Sequence, residues 1–326
     1  MVLSVIIVNW NSLDFLRKCL ASAYRHISEA SFEIIVVDNA SPEGGVDALK
    51  LEYPYISIVK SRVNLGFAGA NNLGFKSSSG DYLLFLNPDT DIMRGAVGAM
   101  LANYKSLPDA GVIGCKLLNT DLSVQTSCIQ TFPTIANQLL DNEYLQLRWP
   151  NCRLWNLGPL FSNGSGPAVV EVISGACMLI KREVFQQAGM FSEDYFMYAE
   201  DLDLCFKVMR LGLRNYYVGQ AQVVHHGGTS SRQAKINQWS TLMKLEAVQK
   251  FCTKTHGTFY GAQFKALMGC AAVGRLSILA LLRIFGNASK RLSLDRASSK
   301  WSAVLKWSCG LAEIKTKTTV TNQRMV

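Results

Sequence analysis

The sequence predicts an α/β fold in which helices flank a mostly parallel central sheet. Short apolar runs at residues 2–8, 32–37, 56–60 and 82–86 have the length of buried strands, and the first of them is rich in β-branched residues. Helical segments lie between these runs, and the order β-α-β-α-β-α-β favours parallel strands joined by right-handed crossovers. Polar clusters follow three of the four runs, at the strand ends where open α/β sheets bind ligands.

The helices of this N-terminal part are predicted from caps and apolar spacing. Ser12 can cap a helix that extends to about Ser28, because apolar residues recur on one of its faces. Shorter helices are predicted at residues 46–51 and 68–77, and the turn Asn64-Leu65-Gly66 leads into the second of them.

The following part of the chain mixes strands and helices. Residues 169–180 are strand-like and contain Ser174-Gly175-Ala176, and residues 221–225 form a last apolar strand. Helices are predicted at residues 181–188, 199–211 and 239–251.

The positive charge of the chain is concentrated near its C-terminus. The net charge is +9, and residues 251–326 carry 12 Lys and Arg against only Asp295 and Glu313. A basic tail of this kind indicates contact with an anionic surface, either a membrane or a nucleic acid. Nucleic-acid binding ranks low, because aromatic residues are not interleaved with the cations apart from Trp301 and Trp307.

Residues 265–285 are almost wholly apolar and are interrupted by Arg275 and Arg283. At about 100° per residue, Lys265 and Arg283 share one side of a helix and Arg275 lies about 80° away. This places a basic stripe against a broad apolar face, as in helices that lie in a membrane interface. No uncharged run reaches about 18–20 residues, so a membrane-spanning helix is not predicted.

The nine cysteines are odd in number and scattered, without a CxxC pair. They predict reduced, mostly buried thiols of a cytosolic protein. The N-terminal apolar run is short and lacks a basic leader, so no signal peptide is expected.

The segment Asn87-Pro88-Asp89-Thr90-Asp91 follows the strand at 82–86. Paired acids at this position can hold Mg²⁺ or Mn²⁺, and such an ion neutralises a departing diphosphate. The alternative for this motif alone is an Asx turn that ends the strand.

The segment Glu200-Asp201-Leu202-Asp203 enters a predicted helix. Clustered acids raise at least one pKa, and such a carboxylate can act as a general base for a sugar hydroxyl. The alternative is an acid-rich first helical turn that favours the helix dipole.

The adjacent histidines His225 and His226 end the last strand and precede two glycines. A neutral imidazole can complete a metal site, although incidental histidines in a glycine-rich turn are the alternative.

Two weaker candidates remain. Asp38, next to Asn39, can accept the imide N–H of a uracil or thymine, and Gly66 allows backbone contact with a nucleotide; both clusters also form ordinary turns.

Together the blocks VIIVNWN, VDNAS, NLGFAGANN, FLNPDTD, SGACMLIKREVF, FMYAEDLDLCFKVMRLG and VVHHGGTS resemble glycosyltransferase family 2, which has the GT-A fold for nucleotide-diphospho-sugar transferases. Within it they resemble the rhamnosyltransferase-like branch of bacterial polysaccharide enzymes. The resemblance covers about residues 3–255 and is specific for the family rather than for the sugar.

The resemblance implies a role for each motif. Asp89 is the implied metal ligand, with Asp91 as the alternative, and Asn87 contacts the ribose. His225 is implied at the metal or diphosphate, with His226 as its competitor. Asp201 is the implied catalytic base and Glu200 the fallback. The implied nucleotide contacts are Asp38, Asn39, Asn64 and Gly66.

The resemblance also implies a function. It predicts inverting transfer of a sugar, from dTDP-rhamnose or a UDP-sugar, to a hydroxyl of a cell-surface glycan or a polyprenyl-diphosphate-linked acceptor.

The predicted regions are a nucleotide-sugar half at 1–110, an acceptor and catalytic half at 111–235, and a membrane-interfacial helical tail at 236–326. Residues 131–167 match no motif and are expected in the acceptor site. The predicted location is cytoplasmic, peripheral on the inner face of the plasma membrane.

Two other functions fit the same α/β framework. One is a catalytically inactive GT-A relative that only binds carbohydrate, which the intact acids and histidines disfavour. The other is a Rossmann oxidoreductase, which is disfavoured because no GxGxxG follows the first strand.

Overall fold

The computed structural model describes residues 2–140, 148–149, 152, 160, 166–227, 234–285 and 291–312, with the backbone alone at 234–237 and 285. The chain divides into two compact units. The sheet unit comprises Met1–Phe132 and Leu147–Gly227, and the helical unit comprises Pro133–Gln146 and Gly228–Val326.

The strands and helices are numbered in chain order. The strands are β1 (Val2–Asn9), β2 (Ser31–Asp38), β3 (Ser57–Lys60), β4 (Tyr82–Leu86), β5 (Thr90–Ile92), β6 (Ala110–Leu118), β7 (Ile129–Gln130), β8 (Pro167–Val170), β9 (Val172–Ile173), β10 (Cys177–Lys181) and β11 (Arg214–His225). The helices are α1 (Leu13–His26), α2 (Leu49–Glu52), α3 (Gly66–Lys76), α4 (Ala96–Ser106), α5 (Ile135–Leu139), α6 (Arg182–Gln187), α7 (Glu200–Arg210), α8 (Ala234–His256), α9 (Thr258–Phe285) and α10 (Arg291–Ser308).

The main sheet has the strand order β3-β2-β1-β4-β10-β6-β11-β5, and β8 also pairs with β11. Strands β1 to β4 are mutually parallel, β10 lies antiparallel between β4 and β6, and β11 runs parallel to β6. The carboxyl ends of β1, β2, β4 and β11 therefore meet the amino end of β10 at one edge of the sheet. We call this edge the upper edge. The predicted α/β class is confirmed.

The first strands are buried because their apolar side chains face helices on both sides of the sheet. Leu3, Val5, Ile6 and Ile7 of β1 have no solvent exposure. Helix α1 buries one face, which includes Leu16, Leu20 and Ala23. Each such leucine contributes about 1.5–3 kcal/mol to folding by leaving water.

The structure divides the predicted strand at 169–180 into β8, β9 and β10. The break between β9 and β10 includes Gly175 and Ala176, whose backbone groups bond outside the ladder: the Gly175 N–H donates to Asp201, and the Ala176 carbonyl accepts from the Asn87 N–H. The predicted strand at 221–225 is the end of the longer β11.

Strand β6 was not predicted, because glycines interrupt its apolar pattern. A Cβ at Gly111 would lie 2.1 Å from Val208 Cγ1, and one at Gly114 would lie 2.4 Å from Ile173 Cγ2. These two glycines make room for side chains of α7 and β9. Their presence in a central strand thus depends on contacts that local sequence does not reveal.

The helical unit has its own apolar core between α8, α9 and α10. The indole N–H of Trp307, which is buried in this core, donates to Glu246 at 2.6 Å. The buried members of the core are Leu245, Val248, Cys252, Phe264, Met268, Ala272, Val304 and Trp307.

The cations of the predicted basic stripe contact other helices of this unit. Lys265 lies over the Trp307 ring, at 5.1 Å from its centroid. Arg275 stacks 4.1 Å from the Trp301 centroid and donates to the Leu139 carbonyl, and Arg283 pairs with Asp295 at 2.9 Å. The cations of the stripe therefore help to stabilise the helical unit, and the position of this helix in a membrane interface stays a prediction.

The other side of α9 is an exposed apolar surface. We call it the α9 apolar face. By length and composition α9 is long and apolar enough to cross a membrane, and few of its residues are buried inside the protein. The apolar run in the sequence, which charged residues interrupt, did not predict a helix of this kind. The face comprises Leu267, Val273, Ile278, Leu281, Leu282 and Ile284, which are between 40% and 72% exposed.

The turn before α3 lies against the carbonyl of Phe196. Gly66 has φ +71°, and the N–H of Phe67 donates to the Phe196 oxygen at 2.9 Å. A Cβ on Gly66 would lie 2.2 Å from that oxygen. Only glycine fits this close backbone contact.

Gly66→Ala is expected to destabilise the protein more than Gly95→Ala. Gly95 also has a left-handed φ, +77°, but no atom lies within 4 Å of its added Cβ. Both variants lose about 1 kcal/mol for backbone strain, and Gly66→Ala loses about 1–3 kcal/mol more through the clash. Urea unfolding followed by circular dichroism measures the difference. Equal losses would contradict the proposed contact.

Candidate active site

Asp38 lies at the end of β2, beside the end of β1, and is largely buried. The side-chain amide of Asn9 donates to Asp38 Oδ1 at 3.4 Å and to Ser41 Oγ at 3.1 Å. The Asn39 N–H donates to the Asn9 carbonyl at 2.9 Å. These contacts hold the Asp38 carboxylate at the upper edge, where the sequence predicts the nucleotide base.

The buried side chain of Asn39 holds the loop before α3. Its amide nitrogen donates to Asn64 Oδ1 at 3.0 Å and to the Gly66 carbonyl at 3.2 Å. Its Oδ1 accepts from the Leu65 N–H at 2.8 Å. Asn39 therefore positions Asn64 and Gly66 beside Asp38. Direct contact of Asn39 with a nucleotide stays a prediction.

The acids after β4 and the histidines at the end of β11 form two separate pairs. Asp89 Oδ1 lies 3.4 Å from His225 Nε2, and Asn87 Nδ2 is also 3.4 Å from that nitrogen. Asp91 Oδ2 lies 2.8 Å from His226 Nε2. Strand β5 brings these residues together, because it pairs antiparallel with the end of β11.

Asp89 and His225 have the chemistry of a divalent-cation site. A carboxylate oxygen and an imidazole nitrogen suit Mn²⁺, and Mg²⁺ sites commonly use one or two carboxylates plus substrate phosphates. Among the described residues, no group of three or more His, Cys, Asp or Glu side chains lies close enough to hold a metal. The remaining ligands of an ion at this pair would therefore come from phosphate or water.

The Glu200–Asp203 segment begins α7 after two strained residues. Tyr198 and Ala199 both have left-handed backbone conformations, with φ 70° and 62°. Such strain costs about 1–3 kcal/mol per residue and clusters at functional sites. Asp201 Oδ2 accepts from the Gly175 N–H at 3.0 Å, and its Oδ1 accepts from the Leu202 N–H at 2.9 Å.

The Gly175–Ala176 segment connects Asp201 to the residues after β4. Its Gly175 N–H binds Asp201, and its Ala176 carbonyl accepts from the Asn87 N–H at 3.0 Å. Asn87 in turn lies beside His225. The three predicted motifs, at Asn87–Asp91, Glu200–Asp203 and His225–His226, are thus joined at the upper edge.

The acids of the α7 motif have different environments. Glu200 is 6% exposed, and its Oε2 has no hydrogen-bond partner among the described residues. Burial raises the pKa of Glu200 well above its ordinary value, and the charge of Asp201 raises it further. A carboxyl that is already protonated accepts no proton, so this environment favours Asp201 over Glu200 as a base.

Asp203 is structural. Its carboxylate accepts from Ser192 Oγ at 2.5 Å and pairs with Lys207 at 3.0 Å. It is also buried.

One residue beside the site has no recognisable motif. The Gln125 side chain bonds both the carbonyl and the ring of His225. A lone glutamine between β6 and β7 carries no local signal, so sequence reasoning missed it. Gly228 of the histidine motif and most of residues 131–167 lie outside the described residues.

Glu200→Gln is expected to change how stability depends on pH. The unfolded chain ionises Glu200 near 4.5, whereas the folded chain keeps it neutral to a higher pH. Unfolding therefore releases a proton above about pH 4.5, and wild-type stability falls as pH rises, by at most about 1.4 kcal/mol per pH unit. The variant lacks this contribution, so its stability relative to wild type should increase with pH.

Urea unfolding between about pH 5 and pH 8 measures this difference. Glu183→Gln, at an exposed position of α6, is the control and should follow wild type. A constant difference between Glu200→Gln and wild type at every pH would refute the buried neutral carboxyl.

The sequence matches glycosyl transferase family 2 over residues 4–189, more than half of the chain. It also matches glycosyl transferase family group 2 over residues 145–244. The first match covers Asp38, Asp89 and the Gly175–Ala176 segment.

Relatives at the sequence level include two rhamnosyltransferases. N-acetylglucosaminyl-diphospho-decaprenol L-rhamnosyltransferase of Mycobacterium tuberculosis is 30% identical over 247 residues, which cover 71% of this chain and 78% of the relative. Rhamnosyltransferase WbbL of Escherichia coli K12 is 25% identical over 249 residues, which cover 72% and 88%.

Solved structures with the same fold include a mannosyltransferase from Pyrobaculum calidifontis in complex with GDP-Man and Mn²⁺. Its TM-score is 0.61 at 15% identity, over 95% of this chain and 86% of the other. GalNAc-T7 with UDP, GalNAc and Mn²⁺ has a TM-score of 0.56 at 14% identity, over 92% and 56%. The family match and the fold agree. The chain belongs to glycosyl transferase family 2, is a glycosyltransferase, and has the GT-A fold that its motifs predict.

Proposed function

We propose that this enzyme transfers L-rhamnose from dTDP-rhamnose, or a hexose from a UDP-sugar, to a hydroxyl of a cell-surface glycan or a lipid-linked oligosaccharide, with inversion. The observation that carries the proposal is the hydrogen-bonded link of Asp201, Asn87 and His225 at the upper edge. The rhamnosyltransferase names of two relatives support rhamnose, and the decaprenol-linked substrate named for one of them supports a lipid carrier.

The donor nucleotide lies across the ends of β1 and β2 in this proposal. Asp38, held by Asn9, accepts the imide N–H of the base. Uracil and thymine both carry this N–H, so Asp38 accepts UDP and dTDP alike. The loop held by Asn39 packs against the nucleoside through Asn64 and Gly66, and Asn87 reaches the ribose.

Asp89 and His225 would hold the Mg²⁺ or Mn²⁺. When bound, the ion neutralises the diphosphate and so makes it a better leaving group. Asp91 has the literal acid-x-acid spacing, but its carboxylate pairs with His226 at 2.8 Å. This pairing favours Asp89 as the ligand.

Asp201 is the proposed general base. The acceptor oxygen forms a bond to the anomeric carbon as the bond from that carbon to the diphosphate breaks, and the hydroxyl proton passes to Asp201. One displacement inverts the anomeric centre. The two N–H donors on Asp201 orient its carboxylate, and general-base catalysis contributes about 10²–10⁴ in rate.

The α9 apolar face is the proposed membrane contact, on the inner face of the plasma membrane. Its apolar side chains are exposed along a helix whose cations contact other helices. A lipid surface is the proposed partner, because a polyprenyl-linked acceptor is itself held there. Exposed cations of α10, including Arg291 and Lys300, add attraction to anionic lipids.

Asp201→Asn is expected to abolish turnover and to leave donor binding within a few fold of wild type. Release of the nucleoside diphosphate is measured with dTDP-rhamnose and UDP-hexoses, with Mn²⁺ or with a chelator, and donor affinity by calorimetry. The loss of rate should be about 10²–10⁴-fold or more, because the proton acceptor is removed.

The control is Asp14→Asn, at an exposed position of α1. A wild-type rate for Asp201→Asn would exclude Asp201 as the base. A wild-type enzyme that releases no nucleoside diphosphate from any donor, with acceptor present, would favour the inactive carbohydrate-binding alternative.

Val273→Glu with Ile278→Glu is expected to weaken binding to vesicles of phosphatidylglycerol and phosphatidylcholine. The two side chains together contribute about 3 kcal/mol when buried, so the loss should be about 100-fold. The matched control is Leu51→Glu with Tyr55→Glu, two exposed apolar residues of the sheet unit. Flotation of both double variants at the wild-type level would rule out the α9 apolar face as the contact.

A further inference from the structure

Gln125 is held rigidly between β6 and the 3-10 turn Thr126–Cys128. Its N–H donates to the Leu117 carbonyl at 2.9 Å, and its carbonyl accepts from the Cys128 N–H at 3.2 Å. The side chain, so anchored, makes two contacts with His225. The amide nitrogen donates to the His225 carbonyl at 2.6 Å, and Oε1 lies 2.9 Å from His225 Nδ1.

The two contacts together determine which ring nitrogen of His225 carries the proton. A backbone carbonyl only accepts hydrogen bonds, so the Gln125 amide nitrogen must face it. The amide oxygen then faces Nδ1, and because this oxygen also only accepts, Nδ1 must be the donor. A neutral imidazole has one N–H, so His225 Nε2 is left with a lone pair.

That nitrogen lies beside the proposed metal ligand Asp89. His225 Nε2 faces Asp89 Oδ1 at 3.4 Å, which places two acceptor atoms opposite each other. The side-chain amide of Asn87, also 3.4 Å from Nε2, can donate to this lone pair, and a divalent cation held by His225 and Asp89 would replace that hydrogen bond.

The neighbouring histidine has no such arrangement. His226 Nε2 lies 2.8 Å from Asp91 Oδ2, and its Nδ1 lies 3.3 Å from the hydroxyl of Thr120. A hydroxyl both donates and accepts, so Thr120 does not select a tautomer. The carboxylate of Asp91 favours a proton on Nε2, which blocks that nitrogen as a ligand.

We propose that Gln125 is a positioning residue that fixes the tautomer and ring orientation of His225, so that Nε2 is available to the divalent cation. This inference rests on the proposed role of His225 as a metal ligand. Residues that donate to or accept from a ligating histidine in this way typically change metal affinity by 10–100-fold when they are replaced.

The test compares Mn²⁺ binding by the full-length variants, alone and with dTDP, by electron paramagnetic resonance of free Mn²⁺. Gln125→Met removes both side-chain contacts at similar volume and is expected to weaken Mn²⁺ binding about 10-fold or more. Gln125→Glu keeps an oxygen acceptor for Nδ1–H and should bind Mn²⁺ more tightly than Gln125→Met. Gln187→Met, at an exposed position of α6, is the control and should match wild type.

A second measurement reports on the tautomer itself. Long-range ¹H–¹⁵N spectra of histidine-labelled protein should show His225 protonated at Nδ1 in wild type, and this state should be lost in Gln125→Met. His225→Gln assigns the signal. Thermal unfolding confirms that each variant is folded, and Gln125→Leu, which also lacks both side-chain contacts, replaces Gln125→Met if the latter is not.

The outcomes separate this inference from the proposed function. If His225→Ala loses Mn²⁺ affinity but Gln125→Met keeps wild-type affinity, the role of Gln125 is refuted and the role of His225 as a ligand is not. Wild-type Mn²⁺ affinity in His225→Ala would refute His225 as a ligand, and with it the basis for Gln125. A wild-type His225 protonated at Nε2 would also overturn the inference.

Discussion

The hydrogen bonds on the two sides of the Gly175–Ala176 peptide are the constraint on which the site depends. The N–H of Gly175 binds the carboxylate at the start of α7, and the carbonyl of Ala176 accepts from Asn87 after β4. This segment reaches the upper edge because β10 runs antiparallel between β4 and β6. A parallel strand at that place would start at the opposite edge and would leave Asp201 without this link to Asn87.

Similar residues in this site are given different chemistry by their surroundings. Glu200 and Asp201 are adjacent, yet Glu200 is buried and its Oε2 has no hydrogen-bond partner among the described residues, whereas two N–H groups bond Asp201. His225 and His226 are also adjacent, yet one faces the amide of Gln125 and the other faces Asp91. In each pair, burial and hydrogen bonding give two adjacent residues different surroundings, and these differences are the basis of the roles proposed for Asp201 and His225.

In the helical unit, the basic side chains of α9 pack against neighbouring helices, whereas many of its apolar side chains are exposed. Lys265 and Arg275 lie over tryptophan rings, where cation–π contacts contribute about 0.5–2 kcal/mol each. Because these cations contact other helices of the unit, the exposed surface on the other side of α9 is apolar. Burial of apolar area on α9 would therefore contribute most of the free energy of any membrane binding. Attraction between the cations of α10 and anionic lipids would contribute less.

The sequence by itself determined the class of fold, the family and the residue types of the site, because buried parallel strands and the polar clusters at their ends leave local patterns. It did not determine β6, whose Gly111 and Gly114 are explained only by side chains from distant elements. Nor could it choose between Asp89 and Asp91 or between His225 and His226. The pairing of β5 with β11 decided which acid meets which histidine, and Gln125, 100 positions from His225, contacts it only through the fold. Such contacts join residues far apart in the chain, so no local pattern records them.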